Sequence, residues 1–282
     1  MALSKLTVQL LELMPKNLIS RAFGVVSDVE FPPKMQALVN RSFARVAGID
    51  VEEAEGPPEA YESLNAFFTR RLKEGTRQVD PVEAGGMVSP VDGRVGAFGT
   101  IESGTLLQAK GREYRIEDLV DSAEEALRFQ GGKYATIYLS PRDYHRIHAP
   151  VGGRLDKISY IPGHLFPVNR FAVENIEELF AVNERLITYL ESEDLGRVAV
   201  VKVGATCVGR IGLSFDPFRT NSGLCRREEF QPREELEFAA GDELAVFNLG
   251  STVVLLVESS QLEFGEAMQA GKMVQMGVRI SR

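Results

Sequence analysis

Two of the three histidines in this 282-residue sequence, His145 and His148, stand three residues apart in SPRDYHRIHAP. That spacing puts both rings on one face of a helical turn, an arrangement suited to acid–base work or to a metal. Such a pair also serves purely structural ends, and no third ligand follows at metalloprotease spacing, nor is HExxH present. Asp92 lies in SPVDGRV, directly before Gly93. Asp-Gly is first of all a hairpin turn, and this carboxylate acquires a chemical meaning only with an imidazole beside it. Gly250 and Ser251 interrupt ELAVFNLGSTVVLLVE, otherwise a nearly continuous apolar strand. A β-bulge accounts for such a break. So does a peptide bond whose carbonyl, unshielded at glycine, is open to attack by the next residue's hydroxyl. Serine is a weak nucleophile until an imidazole takes its proton, and the imidazole in turn needs an orienting carboxylate. An Asp, a His and a Ser are all on hand.

These groups need elements to hold them. Leu3, Leu6, Leu10 and Met14 recur at helical spacing, with Leu11, Leu13 and Leu18 widening the stripe, which predicts an amphipathic helix over residues 3–19. Its apolar face docks either on the protein's own core or on lipid, and composition does not separate the two. A second helix starts after Pro32-Pro33 and carries Met35, Leu38, Val39, Phe43 and Val46. A third follows Pro57-Pro58 through Tyr61, Leu64, Phe67, Phe68 and Leu72. Its end sets Arg70, Arg71, Lys73 and Arg77 against Glu74, next to two phenylalanines. That end reads either as a solvated helix terminus or as a basic-aromatic patch for anionic headgroups. From about residue 81 the texture changes to short β-type runs separated by glycine, broken by one helix over 116–129. The expected fold is α+β: a helical N-terminal region over 1–80, then a compact, mainly-β catalytic domain over 81–282.

Bulk properties exclude several classes. A formal net charge of −8, from 32 basic and 40 acidic residues, leaves no electrostatic reason to bind nucleic acid. Cys207 and Cys225 form no CxxC and have no metal-type ligand beside them, so neither a disulfide scaffold nor a zinc site is expected. Glu12 and Lys16 interrupt the apolar residues of the first 24, which fit neither a secretory signal nor a membrane span. The expected place of residence is the cytoplasm.

Eight blocks in order, SLNAFFTRRLK, SPVDGRV, LQAKGREY, YLSPRDYHRIHAP, IPGHLFPVN, NERL, VGATCVG and LGSTVV, resemble the bacterial membrane-associated phosphatidylserine decarboxylases, from about Leu64 to the end. The resemblance implies a proenzyme in which Asp92, His148 and Ser251 form a self-cleavage triad: His148, held by Asp92, deprotonates Ser251, which attacks the Gly250 carbonyl. The products would be chains 1–250 and 251–282, with Ser251 converted to a covalent pyruvoyl cofactor and no metal. His145 would serve the decarboxylation of phosphatidylserine to phosphatidylethanolamine, through a Schiff base with the substrate's amine. His164, in PGHLF, stays outside this set. A homodimer is also implied. Bringing a two-chain lipid into water costs on the order of 20 kcal/mol at about 0.8 kcal/mol per methylene, so the enzyme is expected to go to the bilayer. The resemblance thus makes the N-terminal region membrane-associating and the protein peripheral, on the anionic cytoplasmic side of the cell membrane. Two rivals predict an uncleaved chain: a serine hydrolase using the same three residues, though without a GxSxG elbow, and a noncatalytic β-rich binding module.

Overall fold

The computed structural model describes residues 11, 13–109, 112–206, 210–221, 226–248 and 251–282. Leu3, Leu6 and Leu10 of the apolar stripe expected over 3–19, both cysteines and Gly250 lie outside these residues.

Helix α1 spans Lys16–Ser27 and α2 spans Pro33–Ala47. Proline at the first turn of α2 supplies a preset φ where no amide partner is required, and Gly48 ends the helix at φ 75°, a left-handed cap that suits glycine. Both helices turn small or polar residues inward: Lys16, Ser20, Gly24 and Ser27 on α1, and Gln36, Asn40 and Ala44 on α2. The inward amides are satisfied. Gln36 donates to the Asn40 side chain (2.8 Å), which donates to the carbonyls of Pro58 (2.9 Å) and Tyr61 (3.1 Å). Leu18, Val25, Val26, Leu38 and Val46 are left exposed.

The third helix is shorter than its sequence pattern predicts. After a 3-10 turn at Pro58–Ala60, α3 covers only Leu64–Phe68, capped by the Ser63 hydroxyl, which accepts from the Ala66 amide. Leu72, at helical spacing from Phe68, instead forms an antiparallel bridge with Ala54. The basic-aromatic surface patch expected here is not formed. Phe67 and Phe68 fill the interior, and Arg70 and Arg77 point inward, leaving Arg71 and Lys73 in solvent. Burying two aromatic rings is worth several kcal/mol, about 2–3 kcal/mol each, which outweighs any gain from displaying them.

The strands are β1 (Gly93–Thr100), β2 (Thr105–Ala109), β3 (Arg112–Arg115), β4 (Lys133–Tyr138), β5 (Arg146–His148), β6 (Gly153–Ile161) and β7 (Arg185–Ser192). There follow β8 (Gly196–Val203), β9 (Arg210–Leu213), β10 (Glu228–Phe230), β11 (Glu237–Phe238), β12 (Glu243–Asn248), β13 (Thr252–Val257) and β14 (Met273–Val274). Their ladders are antiparallel. The large sheet runs β10-β6-β7-β8-β13-β4-β1-β14, with β11 also on β6; β5-β12-β9 form a smaller sheet, and β2-β3 a hairpin. The single helix expected over 116–129 is two, α4 (Ile116–Val120) and α5 (Ala123–Arg128). Asp121 takes φ 51° between them and Ser122 caps the second, which is the work short polar side chains do best. The remaining helices are α6 (Arg170–Asn175) and α7 (Leu179–Val182). Every residue of β13 is buried, in register between β8 and β4. Ser251 directly precedes β13 at the centre of the large sheet, and the preceding strand in the chain, β12, belongs to the small sheet.

Candidate active site

The loop from Leu139 to His145 grips this crossing at both ends. The Leu139 amide donates to the Ser251 carbonyl (2.7 Å), and the Phe247 amide donates to the His145 carbonyl (2.9 Å). Residues 249 and 250 lie between those anchors, outside the described residues. Ser251 is 0% exposed, and its hydroxyl has no hydrogen-bond partner among the described residues; the same holds for Thr252 Oγ1. Buried hydroxyls are ordinarily paired, because leaving one unpaired costs about 1–3 kcal/mol.

The two histidines are not on a helical turn as their spacing suggests. His148 closes β5, and His145 directly precedes that strand, its carbonyl accepting from the Phe247 amide of β12. His145 is 0% exposed, and neither ring nitrogen has a partner among the described residues. Its ring lies 4.0 Å from that of Phe68, centroid to centroid. Burial, with a further push from the Arg70 cation, drives its pKa down to about 3, so the ring is neutral.

His148 has a defined tautomer. Its Nδ1 is 2.7 Å from the Gly241 carbonyl, which can only accept, so Nδ1 carries the proton and Nε2 is the basic nitrogen. Nε2 lies 3.3 Å from the Tyr144 hydroxyl. Burial lowers the pKa of His148, opposed by the Gly241 carbonyl and Glu243. Tyr144 is itself pushed up to about 12 by burial and remains a hydroxyl donor.

Asp92 is 5% exposed and immediately precedes β1. The hydrogen bond to His148 that its expected orienting role requires is not made. Arg77 takes the carboxylate through Nε (2.9 and 3.1 Å) and Nη2 (2.6 Å), and the Met276 amide donates to it as well (2.8 Å). A guanidinium fork satisfies both oxygens of a buried carboxylate, whereas a neutral imidazole offers a single donor. The two segments are nevertheless adjacent, since the His148 amide donates to the Pro90 carbonyl (2.9 Å). Nor is Asp92-Gly93 a hairpin turn. A Cβ on Gly93 would stand 2.6 Å from the Tyr138 carbonyl oxygen, so glycine is required by the close approach of β1 to β4. His164 is exposed and forms a parallel bridge with Asn183. No group of three or more His, Cys, Asp or Glu able to hold a metal is found among the described residues.

The family model for phosphatidylserine decarboxylase matches residues 64–282, the span that holds all of these groups. The chain belongs to the phosphatidylserine decarboxylase family. It is 44% identical over 277 residues to the phosphatidylserine decarboxylase proenzyme of Myxococcus xanthus, covering 97% of this chain and 96% of the relative. It is 42% identical over 274 residues to the proenzyme of that name from Brevibacillus brevis, again covering 97% and 96%. The phosphatidylserine decarboxylase family is one of carboxy-lyases, and the chain shares that class. Sequence reasoning passed over Tyr144 and Gly241, and read Arg77 and Phe68 as part of a helix end or surface patch rather than as neighbours of these groups. Tyr144 is signalled by its place directly before His145, but nothing in the run KEGTR marks Arg77 as the residue that turns inward.

Proposed function

We propose that this phosphatidylserine decarboxylase is made as an inactive precursor, cuts itself between Gly250 and Ser251, and then converts phosphatidylserine to phosphatidylethanolamine with a pyruvoyl group at residue 251. The observation that carries this reading is the set of unpartnered polar atoms in a dry interior: the Ser251 hydroxyl and both nitrogens of His145. A folded chain keeps such atoms unpaired mainly where chemistry uses them.

In this reading His148 Nε2 gives up the Tyr144 hydroxyl and takes the Ser251 proton. The Ser251 oxygen then forms a bond to the Gly250 carbonyl carbon as the amide C–N bond breaks, leaving an ester and a free amine. Loss of the Ser251 α-proton expels Gly250 as a carboxylate, and the dehydroalanine left at 251 exchanges its nitrogen for water oxygen, releasing ammonia. Asp92, fixed by Arg77, stabilises the imidazolium through space rather than by a hydrogen bond; its charge raises the proton affinity of His148. The residues fit the resulting group: a ketone oxygen needs no proton donor, and Ser251 is fully buried and leads directly into the buried strand β13. Once formed, the pyruvoyl group supplies an electron sink for the pair released with carbon dioxide. His145, with one N–H and one lone pair on its neutral ring, hands a proton to the former α-carbon and regains it at the other nitrogen. Because both Ser251 and His145 are sealed in the uncleaved fold, breaking the chain also opens the way for substrate.

The lipid reading draws support from α1 and α2, which bury their small and polar residues and leave apolar ones outside, the reverse of a helix packed on its own core. Among the described residues no helix is long and apolar enough to cross a membrane. A peripheral seat on the cytoplasmic face of the cell membrane fits both facts.

Wild type and Ser251→Ala, each assayed for carbon dioxide release from phosphatidylserine micelles and run on a denaturing gel, test the proposal. Wild type is expected to be active and in two pieces, the variant inactive and whole. Activity in an uncleaved Ser251→Ala chain would overturn it.

A further inference from the structure

Arg70 is 3% exposed and makes no ion pair among the described residues. The carboxylates within electrostatic range, Asp92 and Glu53, are both taken by Arg77. Its guanidinium has Nη2 at 3.1 Å from the Arg142 carbonyl, Nη1 at 3.5 Å from the Phe68 carbonyl, and the Phe67 ring 5.7 Å away, while Nε has no hydrogen-bond partner among the described residues. Two carbonyls and a ring do not replace the hydration of a full charge, and buried guanidinium groups are ordinarily held by a carboxylate or a phosphate. The place is specific: two residues before Arg70, the Phe68 ring stacks on His145, and the Arg70 charge is felt by that imidazole.

We propose that Arg70 is the anion-binding residue of this active site and receives the phosphodiester of the lipid headgroup. The inference rests on the decarboxylase reading of His145 and Ser251. Phosphatidylserine offers two anions, and the chemistry chooses between them. The carboxylate loses its charge as carbon dioxide departs, so a guanidinium fixed on it would hold the ground state more tightly than the transition state and slow the reaction. The phosphodiester keeps its charge throughout. Once paired with it, Arg70 no longer repels a proton from His145, so that ring takes up and holds a proton more readily when a headgroup is in place. Binding and the proton needed after decarboxylation are thereby coupled.

Arg70→Met removes the charge at similar volume. The expected result is a precursor that still cleaves itself, with a thermal midpoint equal to or above wild type, because an unpaired buried cation has been removed. Its KM for phosphatidylserine in mixed micelles should rise roughly 10- to 100-fold. Inhibition by glycerophosphoethanolamine, which keeps the phosphate and lacks the carboxylate, should weaken by a similar factor. A KM and an inhibition constant within twofold of wild type would overturn the proposal. So would a raised KM with unchanged inhibition, which would assign Arg70 to the carboxylate. If Arg70→Met does not fold, Arg70→Lys decides: a raised KM with weakened inhibition supports phosphate binding, whereas a lowered melting point at wild-type KM makes Arg70 a structural clip to Arg142. A wild-type protein that neither cleaves nor decarboxylates would refute the function itself, an outcome distinct from all of these.

Discussion

Protonating His145 means placing a charge in a sealed interior beside Arg70, and that has a measurable consequence for stability. In the unfolded chain this ring has a pKa of about 6.5; in the fold it is about 3. Between those values the unfolded state binds a proton that the folded state refuses, so stability is intact above about pH 6.5 and falls as the solution is acidified, by about 1.4 kcal/mol per pH unit. His148 shifts in the same direction, so the comparison must be with His145→Phe. Urea midpoints at pH 7 and pH 5, both measured in the uncleaved Ser251→Ala background, are expected to show the chain with His145 losing about 2 kcal/mol more than the one with His145→Phe. Equal losses would mean that the imidazole is hydrated in solution. At this scale the sequence yielded the reacting residues as types but not their partners. Asp92 and His148 look like a pair until Arg77 is seen to claim the carboxylate and Gly241 the imidazole proton, and contacts between residues this far apart leave no mark on spacing.

The elements position this chemistry through close backbone approaches, which glycine substitutions probe. A Cβ on Gly93 would meet the Tyr138 carbonyl oxygen at 2.6 Å and Ile137 at 2.8 Å, whereas one on Gly96 would meet its nearest atom, the Thr136 carbonyl oxygen, at 3.3 Å. Gly93→Ala should therefore push β1 off β4 and carry Asp92 with it, slowing self-cleavage at least tenfold in a gel time course. Gly96→Ala, on the same strand, should cleave within about twofold of wild type, and equal rates for the two would show that Asp92 placement does not govern cleavage. The start of helix α2 was legible because the proline at its first turn acts through local backbone geometry. The placement of His148 on a strand was not, since β5 is three residues long and too short to display a period of two. The third helix was overdrawn for a related reason: Leu72 keeps helical spacing from Phe68, yet its bridge to Ala54 is a long-range pairing that no local pattern encodes.

For the whole molecule, the mainly-β part could be foreseen from glycine-punctuated apolar runs, whereas which apolar residues of the helices stay on the surface could not. Burial decided that Phe67 and Phe68 face inward and that Leu18, Val25 and Leu38 face outward. Replacing those three outward residues with glutamate should abolish sedimentation with phosphatidylserine-containing liposomes while leaving the melting temperature within a few degrees, since exposed positions contribute little to stability. Undiminished sedimentation would remove α1 and α2 as the docking face. The most direct test of the central claim is the intact mass of the purified wild-type protein under denaturing conditions. Two chains are predicted, 1–250 and 251–282, the smaller beginning with a pyruvoyl group that reacts with hydrazine and lacks a free amine. A single unbroken chain in an active preparation, or a small chain that begins with an intact serine, would contradict it.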